Sequence, residues 1–179
     1  MIKKKKRPGG AAGGVYAAAG VFFTCMLLVF SAYTLLFRIA DVNGDSMEPN
    51  LHNGDSVLVT AAFGLPDYGD IIAICKTGAG ASMVKRVVAR GGDTVNINFD
   101  THAITVNGRV ITENYRVLGA IGVQGDVAFP CTVPAGSVFV LGDNRNDSLD
   151  SRFSEIGCIP AEEIRGVVRC RLFPYEAIE

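Results

Sequence analysis

The chain has 179 residues, enough for one domain and an appendage, and its formal net charge is −1. This near-neutral balance excludes the strongly basic character that points to a nucleic-acid partner. The charge is unevenly placed: Lys3, Lys4, Lys5, Lys6 and Arg7 form one block at the start, and residues 15–37 then run without a charge.

As a helix, that run spans roughly 35 Å, enough to cross a hydrocarbon core of about 30 Å. The basic block before it and Arg38 after it predict a cytoplasmic N-terminus. A cleaved signal peptide has a shorter apolar region of about 7–15 residues and a small-x-small exit. This run leaves instead through Leu35-Leu36-Phe37-Arg38. A core helix of such length usually carries a polar stripe. A basic block beside a span reads as a topology signal rather than a nucleic-acid tail. The expected organisation is a cytoplasmic tail at residues 1–14, an uncleaved transmembrane anchor at 15–37 and an extracytoplasmic β domain at 38–179.

Beyond the anchor the chain reads as short strands. Residues 55–60 and 70–75 are β-rich, the second apolar enough to be buried, with a loop at 63–69 and a turn at 76–80. Residues 82–90 are strand-like until Gly91-Gly92-Asp93 breaks them. Residues 94–99 alternate with period two, so one face should be buried. Asn107-Gly108 between alternating runs at 103–112 is a strong hairpin signal. Residues 137–141 and 167–173 complete the set, and 160–164 can form one helical turn. No segment beyond the anchor shows sustained helical periodicity, so the predicted fold is mainly antiparallel β.

The five cysteines are widely spaced and lack a histidine partner, which does not fit a zinc site. Outside the cytoplasm Cys75, Cys131, Cys158 and Cys170 can form a disulfide or remain buried thiols. His52 and His102 read as turn or surface residues.

Three stretches carry chemistry. Gly44-Asp45-Ser46-Met47-Glu48-Pro49-Asn50-Leu51 is a tight turn that can hold a serine rigidly, although on its own it reads as a surface turn. A serine nucleophile needs a base, and a neutral lysine can serve if desolvated or placed near positive charge. Lys85 lies in the apolar run Met83-Val84-Lys85-Arg86-Val87-Val88, where alternation sets Met83, Lys85 and Val87 on one face and Val84, Arg86 and Val88 on the other. Alone, it reads as a strand-edge lysine that deters aggregation. The third stretch is the polar Gly142-Asp143-Asn144-Arg145-Asn146-Asp147-Ser148-Leu149-Asp150-Ser151-Arg152, in which Asp150 can pair with Arg152 and Ser148 can bond a neutral amine.

Together, and with Asn53-Gly54-Asp55 and Gly69-Asp70, these blocks resemble the bacterial type I signal peptidases, membrane-anchored Ser–Lys proteases; the resemblance runs from the anchor to the end. It implies a coiled antiparallel β domain behind one transmembrane helix. It implies Ser46 as nucleophile, Lys85 as general base, Ser148 orienting the amine, Asp150 with Arg152 as a supporting ion pair, and Asp143, Asn144 and Arg145 bracing the loop. Family positions that line the substrate pockets match Val42, Met47, Leu51, Met83 and Val84, with Val57 further off. The implied partners are signal peptides of exported preproteins and the lipid bilayer; no cofactor, metal or nucleic acid is implied, and the working unit is expected to be a monomer. Two positions depart from some members. Gly44 lacks a hydroxyl that elsewhere helps to hold the oxyanion, a donor type worth about 10²–10³ in rate. Asn50 replaces a more common threonine, with little consequence expected.

Two other readings compete. A self-cleaving Ser–Lys protease of the SOS-repressor kind needs a helical DNA-binding domain where this chain has a span. A tethered peptide-binding β domain that has lost catalysis would show damage at Ser46 or Lys85, and both are intact.

Overall fold

The uncharged N-terminal run is a helix, α1 (Ala11–Leu36), whose Gly13–Leu36 portion contains an 18-residue stretch of mean hydropathy 2.1 and is long and apolar enough to cross a membrane. The structure, a computed structural model, describes residues 11–75, 82–173 and 175–177. The basic block at 3–7 and the turn expected at 76–80 lie outside these. From residue 13 onward the α1 side chains are almost all exposed, with no polar stripe. Two of its hydroxyls donate within the helix, Thr24 Oγ1 to Gly20 O (2.8 Å) and Thr34 Oγ1 to Ser31 O (2.9 Å). The helix stops one residue short of the uncharged run, because Phe37 opens a strand.

A second unit follows from Phe37. Its strands are β1 (Phe37–Asp41), β2 (Ser56–Thr60), β3 (Ile71–Cys75), β4 (Ser82–Arg90), β5 (Thr94–Asn98), β6 (Ala103–Val106), β7 (Arg109–Val110), β8 (Cys131–Thr132), β9 (Ser137–Leu141), β10 (Ile159–Pro160), β11 (Ile164–Phe173) and β12 (Tyr175–Ala177). One sheet runs β1-β2-β11-β3-β4-β9-β10, with β12 beside β11; the other runs β7-β6-β5-β8. All the strand pairings described are antiparallel. The expected architecture, mainly antiparallel β with one apolar N-terminal helix, is the one observed. Asn107 (φ 54°) and Gly108 (φ 76°) both take positive φ, as a type I′ hairpin turn requires. One 3₁₀ turn, Ala161–Glu163, falls within the expected 160–164. Missing from the sequence reading were β1, where Arg38 and Asp41 interrupt the apolar pattern, and the very short β8, β10 and β12.

Three apolar clusters hold this unit together. The first joins the two sheets, with Val95, Ile97 and Ile104 packed against Val88, Phe139 and Leu141. The second lies under the middle of the large sheet and includes Ile72, Val87, Val140 and Val167. The third gathers Val42, Met47, Leu51, Val57, Val59, Ile71 and Val168 under the Ser46 turn. Strand β4 lies between β3 and β9, and its residues from Lys85 to Ala89 are all buried. Lys85 is therefore on a central strand, not an edge, and both faces of β4 are covered.

Candidate active site

The Ser46 turn precedes β2 and is pinned at several points. Gly44 adopts φ +90°, a left-handed conformation suited to glycine, and its N–H donates to Asn53 Oδ1 (3.0 Å). Glu48 N–H donates to Asp45 O (3.1 Å), and Asn50 and Leu51 N–H both donate to Met47 O (3.0 Å each). Met47 and Leu51 point into the third apolar cluster, so the turn is fixed from below by burial. Among the described residues the Ser46 N–H has no acceptor.

Lys85 reaches the turn from β4. Its Nζ donates to Ser46 Oγ at 2.7 Å and to Ser148 Oγ at 3.1 Å. The residue is only 4% exposed. Burial disfavours the ammonium and lowers the pKa from 10.5 to about 8; Asp150 opposes the shift and Arg152 adds to it.

Segment 142–152 encloses the amine. Arg152 grips Asp150 through two bonds, Nε to Oδ1 (2.8 Å) and NH2 to Oδ2 (2.9 Å), with both residues wholly buried. Arg152 NH2 also donates to Ser148 O (3.2 Å), and Asp150 Oδ2 accepts from Gly142 N–H (3.0 Å). Ser148 is thus held by its backbone on the far side from Lys85. Asp143 accepts from Arg86 at both oxygens (2.8 and 2.7 Å), while Arg86 NH1 donates to Gly69 O (2.8 Å) and the guanidinium stacks 3.9 Å from the Tyr115 ring centroid. Asn144 N–H donates to Ser46 O (3.0 Å), and its Nδ2 to Asp45 O (3.2 Å). Arg145 Nε donates to Gly142 O (3.0 Å), and its guanidinium pairs with Glu113. Among the described residues no buried side-chain nitrogen or oxygen lacks a partner.

A groove of about 710 Å³ opens beside Ser46 and Lys85, with Ala40, Val42, Met47, Met83 and Val84 in its wall. Leu51 and Val57, expected among the pocket residues, are fully buried beneath it and back the wall rather than line it. His52 and His102 stay apart from this site, bonded to Asp55 and to Ile121 O respectively. The five cysteines are free, and burial raises the Cys131 and Cys158 thiols above their usual range. No group of His, Cys, Asp or Glu suited to a metal occurs among the described residues.

Sequence reasoning missed three contributors. Arg86 stands on the opposite face of β4 from Lys85; a cation in an apolar strand is the signal that a buried counter-ion exists, but not that it is Asp143. Tyr115 comes from a loop with no periodicity. Asn50, expected to matter little, donates from Nδ2 to Arg116 O and Asp143 Oδ2, both at 2.7 Å.

The Signal peptidase, peptidase S26 family profile matches residues 16–173. A signal peptidase I of Bacillus licheniformis is 36% identical over 153 residues, covering 80% of each chain. Signal peptidase I T of Bacillus subtilis is 34% identical over 161 residues, covering 84% of this chain and 81% of its own. A crystal structure of a signal peptidase I from Enterococcus faecalis matches with 30% identity and a TM-score of 0.47, over 59% of this chain and 98% of that one.

The buried amine has a consequence for stability. Unfolding restores the lysine pKa from about 8 to 10.5, so between these pH values the unfolded chain binds a proton that the folded chain does not. The cost of burying the charge is therefore full below pH 8 and is relieved as pH rises towards 10.5; a shift of this size corresponds to about 3 kcal/mol. Lys85→Met is expected to be more stable than the wild type at pH 7 by roughly 1–3 kcal/mol, allowing for its lost hydrogen bonds. The gain should shrink towards pH 10.5. Unfolding of both proteins across this range checks it; a difference that stays constant with pH would mean the amine is solvated.

Proposed function

The chain belongs to the peptidase S26 signal peptidase family, and from that premise we propose that Ser46 is its nucleophile and Lys85 its general base. Membership makes the protein a serine endopeptidase that removes signal peptides from exported preproteins. The observation that carries the residue assignment is the 2.7 Å contact between Lys85 Nζ and Ser46 Oγ inside a buried site.

With the amine neutral, its lone pair takes the Ser46 proton along that contact as Oγ attacks the scissile carbonyl. The Ser46 N–H supports the oxyanion, since Gly44 has no hydroxyl to offer. Collapse breaks the peptide C–N bond, and the Lys85 ammonium protonates the departing amine. Water, deprotonated by Lys85, then attacks the acyl ester and returns Ser46. Ser148 keeps the amine aimed at Oγ, and the Asp150–Arg152 pair keeps Ser148 in place. Asp143, Asn144 and Arg145 hold the loop to the Ser46 turn. The bound signal peptide lies extended in the apolar groove, where Val42, Met47, Met83 and Val84 favour small residues before the cut, with Leu51 and Val57 as backing.

The N-terminal helix anchors the protein. Residues 1–14 lie in the cytoplasm, the apolar helix from residue 15 to Leu36 forms the anchor and the chain from Phe37 onward the outer catalytic domain, in keeping with the basic block ahead of the span. A single copy of the chain acts on preproteins at the bilayer surface.

Preprotein cleavage by the detergent-solubilised chain tests this reading. Ser46→Ala and Lys85→Met should each lower turnover by roughly 10³-fold or more. The wild-type kcat/KM should rise with pH through about 8 as the amine loses its proton, and then level off. Variants that still cut would place the nucleophile elsewhere. A second test uses Gly142, where an added Cβ would sit 2.2 Å from Ser148 Oγ and 2.5 Å from Ser46 O. Gly142→Ala should therefore cost roughly 10²-fold in turnover by displacing both serines; near-normal activity would show that Ser148 has no part in aiming the amine.

A further inference from the structure

Both acceptors of the Asn50 carboxamide lie far from it in sequence. Arg116 belongs to the segment that follows the small-sheet hairpin, and Asp143 begins the loop around Lys85. These two are themselves joined. Leu118 N–H donates to Asp143 O (2.8 Å), Arg145 N–H donates to Leu118 O (3.2 Å), and Tyr115 covers the Arg86 guanidinium that Asp143 holds. Residues 113–118 thus form a strap laid across the Arg86–Asp143 pair.

The Ser46 turn meets this assembly on two sides. Asn144 bonds the carbonyls of Asp45 and Ser46, while Asn50 bonds Asp143 and the strap. Asn144 ties the loop to the turn at Asp45 and Ser46; the Asn50 contacts, four residues on, add a second tether to the same loop. The Asn50 side chain is not among those that line the groove.

We infer that Asn50 is a positioning residue for the proposed Ser46–Lys85 pair, locking the turn to Asp143 and the 113–118 strap so that Oγ stays on the amine. This rests on the assignment of Ser46 as nucleophile. A carboxamide suits the place because its Nδ2 carries two hydrogens for two acceptors, and threonine, with one hydroxyl hydrogen, can serve only one of them.

The test measures preprotein cleavage by full-length Asn50→Ala and Asn50→Thr beside Ser46→Ala, with turnover normalised to the folded fraction from thermal unfolding. Asn50→Ala should lower kcat roughly 10- to 100-fold with KM within about twofold of the wild type, since displacement of reacting groups affects turnover rather than binding. Asn50→Thr should recover part of the loss. Wild-type kcat per folded molecule in Asn50→Ala, a loss confined to KM, or a threonine variant no better than alanine would each overturn the inference. Cleavage by Ser46→Ala would instead overturn the nucleophile assignment, whatever Asn50 does.

Discussion

The desolvation of one amine governs the rest of the structure. Lys85 is a charged residue type on a central strand, covered on both sides, and burial is the largest of the effects that bring its pKa to about 8. A solvated lysine would hold its proton more than two units higher and could not serve as a base near neutral pH. The cost falls on stability and has to be met by the packing around it. Clusters under the Ser46 turn and behind β4 supply that packing, and Ser46 and Ser148 give the amine hydroxyl partners rather than a counter-ion in direct contact. A carboxylate in direct contact would favour the ammonium and cancel the effect of burial.

Carboxylates are nevertheless close, and the way each is occupied matters. Asp150 and Asp143 both act to raise the Lys85 pKa, yet each is gripped through both oxygens by an arginine, Arg152 or Arg86. The Arg152 guanidinium opposes them, and burial, the largest effect, prevails. Paired buried ions contribute little net stability, but removing one partner leaves a charge stranded at a cost of about 3–5 kcal/mol. The two pairs are thus better understood as geometric devices: they hold Ser148 and the Ser46 turn in place around the amine. Every buried side-chain polar atom described has a partner, which is the condition for such a network to be rigid.

How these groups meet depends on sheet order rather than chain order. The Ser46 turn enters β2, Lys85 lies two strands beyond β11, and segment 142–152 leaves β9 on the other side of β4. Strand β11, from near the C-terminus, separates β2 from β3 and so sets the distance between the turn and β4. The small sheet adds its own part through residues 113–118, which carry Tyr115 onto Arg86 and Arg116 onto Asn50. Without it the buried guanidinium would have one open face.

Local pattern made much of this readable in the chain itself. The uncharged run could only be a long apolar helix; period-two alternation marked β5 and β6; Asn107-Gly108 marked the hairpin of β6 with β7; and glycine and proline marked the Ser46 turn. These features depend on neighbours a few residues apart, so sequence suffices to express them. Strands of two or three residues carry too little pattern, and β1 hid its character behind Arg38 and Asp41. The partnership of Arg86 with Asp143, the stacking of Tyr115, the retreat of Leu51 and Val57 behind the groove, and the double bond of Asn50 were decided by tertiary structure alone. Each depends on elements distant in the chain coming together, β9 beside β4, β11 between β2 and β3, and the two sheets on their shared core, and no local periodicity records which distant donor will meet which acceptor.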